Sequence, residues 1–125
     1  MAKPSRRRTN TSGSIRIVVV KHGMPSVEEA RTRLRAELRS ARQSGVKVLK
    51  LIHGYGSTGV GGDLRIALQA TLRQLAQDHE IGDCIYGENW RTSDEHSWEL
   101  LKRMPELKND SDLGKGNKGV TLVIL

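Results

Sequence analysis

Hydrophobic and polar positions along this chain follow two periods in turn. Ile15 to Val20 is a β-branched run interrupted only by Arg16 and bounded by turn residues, which predicts a strand. From Ser26 the period becomes helical. Val27, Ala30, Leu34, Leu38 and Ala41 fall on one stripe, Ser26 and Glu29 form a capping box, and Gly45 closes a helix predicted over 26–44. Val46 to Ile52 reads as a second strand, its apolar run interrupted by Lys47 and Lys50. Leu64, Ala67, Leu68, Thr71, Leu72 and Leu75 form the stripe of a second helix over 63–77, with Asp63 as its cap. Ile81 to Tyr86 is a short third strand. A weaker helical pattern runs from Thr92 to Met104, with Trp98 and Leu101 three apart and Leu100 and Met104 four apart, until Pro105 ends it. A polar loop, Asn109 to Lys118, leads into a last strand over 119–125. Strands alternating with helices imply an α/β fold whose sheet is partly parallel and covered by helices.

The length of 125 residues is that of one domain with a single core. Residues 1–14, with Arg6-Arg7-Arg8 and then a Thr/Asn/Ser/Gly stretch, read as a disordered basic arm, and residues 15–125 as the domain. The net charge of +7 is polarised. Residues 1–75 hold 15 Lys/Arg against 4 Asp/Glu, a net +11, and residues 76–125 hold 6 against 10, a net −4. Such a molecule steers a polyanion to one side, which points to nucleic acid. On helix one, Arg31, Arg35, Arg39 and Arg42 recur every three or four residues and share a face. No apolar run approaches the roughly 20 residues that span a bilayer, and the first residues lack the apolar segment of a secretory signal. With one cysteine, Cys84, read as a core residue, and no Cys/His cluster of zinc spacing, the expectation is a cytoplasmic protein without a cofactor.

Candidate chemistry concentrates in two turns. The run Leu51 to Asp63 holds five of the thirteen glycines, between a strand and a helix, where backbone amides suit a phosphate. Gly54-x-Gly56-x-x-Gly59 matches a dinucleotide fingerprint, but the helix begins too late for the glycines to sit in its first turn. His22-Gly23 follows strand one, and His53-Gly54 follows strand two. If those strands are parallel neighbours, both imidazoles stand at the carboxyl edge, where open α/β sheets bind ligands. There they either share acid–base work or orient a phosphate. His79 and His96 lack that context and read as surface residues.

Taken in order, several short motifs resemble the Smr domain, the small MutS-related module found at the end of some MutS-type proteins and as stand-alone proteins. They are His22-Gly23 with Ser26-Val27-Glu28-Glu29-Ala30, Leu51-Ile52-His53-Gly54-Tyr55-Gly56, Leu64-Arg65, and the closing Gly119 to Leu125. The resemblance covers about residues 15–125. It implies a two-layer βαβαββ sandwich with a mixed sheet, similar to the C-terminal domain of translation initiation factor three, here with an extra helix inserted before the last strand. It also implies nucleic-acid binding, with DNA nicking or RNA cleavage in several members. Where the family commonly reads Leu-Asp-Leu-His-Gly, this chain reads Val19-Val20-Lys21-His22-Gly23, so a carboxylate tied to cleavage is replaced by Val20. The Gly loop is longer than usual, and residues 87–115 resemble an insertion.

These features define a nucleic-acid-binding domain, DNA or RNA, that acts as an endonuclease if His22 and His53 are its acid–base pair. On this reading Lys21, Arg65 and Lys118 neutralise phosphate, Gly54 and Gly56 cradle it, and Tyr55 stacks a base. A histidine pair suits metal-free RNA cleavage through the 2′-hydroxyl, while a divalent metal stays compatible with a DNA substrate. Two alternatives remain open. One is a non-catalytic module for nucleic acid or protein, with the acidic second half docking a protein. The other is a small nucleotide-binding protein that uses the Gly loop.

Overall fold

The computed structural model describes residues 9–12, 14–54 and 60–125. The elements in chain order are β1 (Thr9–Ser12), β2 (Ile15–Val19), α1 (Val27–Gln43), β3 (Val48–Ile52), α2 (Val60–Gln77), β4 (Asp83–Tyr86), α3 (Glu95–Arg103) and β5 (Val120–Ile124). Single 3₁₀ turns follow β4 and α3, at Gly87–Asn89 and Pro105–Asn109. The strands form one mixed sheet in the order β1-β2-β3-β5-β4. β2 and β3 run parallel, in a register that sets Val19 beside Ile52. β5 runs antiparallel to both β3 and β4.

Alternation along the strands sorts the core into two faces. Val18, Val20, Leu49, Leu51 and Val123 meet Leu34 and Leu38 of α1 and Leu64, Leu68 and Leu72 of α2. The opposite face carries Val48, Ile85 and Leu122 against Trp90, Leu100, Leu101 and Leu107. Residues 90–107 thus lay a partial third layer over the far side of the α1–α2 sandwich. Each buried leucine contributes about 1.5 to 3 kcal/mol of apolar transfer.

Local signals explain most boundaries. The Ser26 hydroxyl accepts from the Glu29 amide at 3.1 Å, and the Glu29 carboxylate accepts from the Ser26 amide at 2.8 Å. That completes the capping box, and the bonds to Ser26 hold the Glu29 carboxyl below its ordinary pKa. α2 opens three residues before the expected cap, so Asp63 lies inside its first turn, where a carboxylate favours the positive helix end. α3 is shorter than expected and is capped by Asp94, whose carboxylate accepts from the Ser97 amide at 3.0 Å. Its inward positions are Ser97, Leu100 and Leu101, so Trp98 faces outward.

Part of the segment read as a disordered basic arm forms a strand. Thr9–Ser12 pair antiparallel with β2 and extend the sheet by one strand, while residues 1–8 lie outside the described residues. Lys50, which interrupts the apolar run of β3, is in mid-strand and buried. Its ammonium meets Asp110 at 2.7 Å and Asp112 at 2.5 Å. Asp110 also accepts from Trp90 Nε1 at 3.0 Å, and Asp112 from Asn117 at 2.9 Å. The polar 109–118 loop therefore clasps the sheet. β4 ends the sheet on one side. Its Cys84 side chain is half-buried against the α1–α2 face, and the Cys84 amide donates to its neighbour Asp83's carboxylate at 2.8 Å.

Candidate nucleic-acid interface

Two short turns leave the sheet at one edge. Because β2 and β3 are parallel and in step, the chain departs from both at the same height. β5, antiparallel to β3, begins there too: the Gly119 carbonyl accepts from the amides of His53 and Gly54 at 2.9 and 3.0 Å. Both His-Gly pairs need a left-handed glycine, with φ 80° at Gly23 and 74° at Gly54. Met24 also has a positive φ, 50°, and closes the first turn by donating to the Lys21 carbonyl at 3.2 Å. Strain of this kind is held where surrounding contacts over-determine it. Arg33 of α1 supplies such contacts, donating to the carbonyls of Val20 at 3.0 Å and His22 at 2.7 Å.

The structure brings most of the expected residues to this edge. Lys21, His22 and Lys118 are exposed. The Lys21 stem covers Gly54, its Cδ 3.2 Å from the place a Cβ there would take. Arg65 projects from the start of α2 and is half-buried. Tyr55 and Gly56 lie outside the described residues.

The two histidines differ sharply. His22 faces solvent, whereas His53 is fully buried. His53 Nδ1 lies 2.6 Å from the Gly54 carbonyl, an acceptor only, so Nδ1 carries the proton. Nε2 is then the bare nitrogen and accepts from the Thr121 hydroxyl at 2.9 Å. Burial pushes the His53 pKa below 6.5, against the pull of the Gly54 carbonyl. With both ring nitrogens spent inside the fold, His53 holds the turn and presents no nitrogen to a ligand. Val20, two residues before His22, is likewise a core residue.

The β4–α3 segment adds a partner that sequence reasoning missed. Glu88 pairs with Arg65, Nη2 to Oε2 at 2.7 Å. The fork is half made: among the described residues Arg65 Nε and Glu88 Oε1 are buried without partners, as is Nε2 of Gln69 one turn along α2. Each such orphan costs about 1 to 3 kcal/mol. Buried polar groups without partners call for an explanation such as a bound water or ion. Nothing local in the sequence around Glu88 announces this contact; it exists because β4 and α2 are neighbours. Among the described residues, no three His, Cys, Asp or Glu side chains gather to hold a metal ion. His96 is exposed, and its bond to Asp83 at 2.7 Å raises its pKa.

His53→Ala is expected to cost about 2 to 3 kcal/mol, because it empties the ring's place and strands the Thr121 hydroxyl. It also removes a pH dependence. The His53 pKa is lowered on folding, so its share of stability is full above about pH 6.5 and lost as pH falls below it. Urea unfolding at about pH 7.5 and about pH 5.5 checks this. The wild type should weaken at the lower pH more than the variant does, and equal pH responses would refute the assignment.

Comparison with known proteins agrees with this architecture. Residues 22–87, more than half of the chain, match the Smr domain. No curated protein sequence matches. Among solved structures, the crystal structure of the Smr domain of Thermus thermophilus MutS2 is similar, with a TM-score of 0.53 and 25% identity over 87% of this chain and 95% of that one. The motif order, the mixed sheet and these matches agree, and the chain belongs to the Smr domain family.

Proposed function

We propose that this Smr domain binds the phosphate backbone of nucleic acid at the carboxyl edge of its sheet. The observation that carries the reading is the convergence of Lys21, His22, Gly54, Arg65 and Lys118 on that edge, all but Lys118 in the half of the chain that holds the positive charge. Family membership supports it. Arg65 is half-buried and held by Glu88, and its exposed part carries positive charge toward the edge. The geometry favours binding over a two-histidine cleavage mechanism, because His53 is enclosed and Val20 supplies no carboxylate. Four of the ten acidic residues of 76–125, Glu88, Asp94, Asp110 and Asp112, are engaged inside the fold. No helix among the described residues is long and apolar enough to cross a membrane.

Fluorescence anisotropy with labelled single- and double-stranded DNA and RNA tests the proposal. If about six phosphates are engaged, affinity should fall roughly 10³-fold between about 50 and 200 mM salt. Lys21→Ala and Arg65→Ala should each lower the slope of log K against log salt by about 0.7 to 0.9. Salt-insensitive affinity, or none, defeats the proposal. Incubating the same strands shows whether cleavage accompanies binding; cleavage abolished in His22→Ala would reinstate an enzyme with a single histidine.

A further inference from the structure

We propose that the arginine row on α1 is a second phosphate-binding surface, along which a strand seated at the sheet edge continues over the helical layer. This rests on the binding reading above. Arg31, Arg35, Arg39 and Arg42 share one face of α1. Neighbours four apart on a helix are separated by about 6 Å along its axis, and the row spans about 16 Å. The ends of the row are anchored. Arg31 donates to Thr71 of α2 at 3.3 Å and pairs with Glu28 at 2.7 Å, and Arg42 donates to the Glu80 carbonyl. Between them, Arg35 and Arg39 are exposed and make no side-chain hydrogen bond or ion pair among the described residues.

The neighbouring acids do not neutralise the middle of the row. Glu28 is committed to Arg31, and Glu37 lies toward Arg16 on the other flank, 3.8 Å away. Two guanidinium groups one turn apart, without partners among the described residues, therefore face outward from the helix. Such planar forks suit successive phosphates of one strand. The row begins about one turn into α1, at the end of the helix nearest the edge site. α1 opens just after the His22 turn, and Arg33 fixes the helix to that turn through the Val20 and His22 carbonyls. Phosphates carry no base identity, so RNA and DNA strands should respond alike.

The test compares the full chain with Arg35→Gln/Arg39→Gln, using a labelled trinucleotide and a labelled long single strand. The long strand should bind the variant about tenfold more weakly near 0.1 M salt, with a salt slope smaller by about 1.4. The trinucleotide, which reaches only the turn, should bind both proteins equally. Arg35→Lys/Arg39→Lys should restore most of the slope. An unchanged slope and affinity for the long strand would overturn the row while leaving the edge site standing. Wild-type failure to bind either probe overturns both. Equal weakening of both probes also overturns the row as a track, and so does an acidic polypeptide that displaces the strand equally well from wild type and variant.

Discussion

Lys50→Met is expected to lower the unfolding free energy by about 3 to 5 kcal/mol, the cost of leaving buried carboxylates without their cation. In a domain of this size that is a fall of roughly 10 to 25 °C in Tm. Lys50 is buried, and the side chains of Asp110 and Asp112 are only 10% and 20% exposed. Burial disfavours the ammonium, yet hydrogen bonds and attraction from Asp110 and Asp112 outweigh it and raise the Lys50 pKa. Asp112 is shifted the other way: burial raises its pKa, but bonds to Asn117 and Lys50 bring it below 3.8. A carboxyl lowered on folding gives stability that is full above about pH 4 and lost as pH falls through the folded value. A raised lysine gives stability that is full below about pH 10.4 and lost as pH rises through its folded value. The wild type should therefore weaken at both extremes. Lys50→Met should show the opposite acid response, its deficit shrinking as pH drops toward 4 and the stranded carboxylates take up protons. Lys50→Met/Asp110→Asn/Asp112→Asn should recover most of the loss, since amides still accept from Trp90 and pair without charge. Thermal melts across pH settle this, and a Lys50→Met domain as stable as wild type would remove the clasp from the account.

Gly87→Ala is expected to cost about 3 kcal/mol, at the upper end for overpacking. A Cβ at Gly87 would lie 1.9 Å from the Asn117 carbonyl oxygen, 2.7 Å from the Val120 oxygen and 2.7 Å from Val120 Cγ2. Two of those three atoms are backbone, so no rotamer change relieves the clash. The chain must separate β4 from the entry to β5. The damage should reach the edge site, because the adjacent Gly119 carbonyl holds the amides of His53 and Gly54. Hydrogen exchange at these two amides should accelerate, and nucleic-acid affinity should fall. Gly114→Ala is the control. It has φ 79° but nothing within 4 Å of the added carbon, so it should cost about 1 kcal/mol through backbone strain alone, with no change at the turn. Equal costs for the two variants would contradict the close approach.

Much of this architecture was legible because it is local. The Ser26–Glu29 box, the apolar stripe of α1 and the β-branched run of β2 are decided by neighbours in sequence, and they stand as expected. The placement of His22 and His53 at one edge followed from strand polarity, which helices between strands predict. What escaped was set by long-range partners. Lys50 looked like an interruption because Asp110 and Asp112 lie sixty residues on. Thr9–Ser12 looked like tail because a polar strand pairs through its backbone and leaves no apolar pattern. His53 looked like a ligand-facing base because nothing in sequence shows that Thr121 waits behind it. Trp98 counted toward the weak helical pattern of its segment, because an aromatic at helical spacing is ambiguous until the facing surface is known.

The Cys84 amide, spent on its neighbour's carboxylate, has a consequence for the behaviour of many copies together. β4 is an edge strand, and an open edge is a template for adding a foreign strand. An incoming backbone would find that donor already taken and a negative charge beside it. Two such edges brought face to face would set Asp83 against its own copy or near it. At high concentration this border of the sheet should therefore resist strand-by-strand polymerisation, and Asp83→Ala should be the substitution that makes the domain associate.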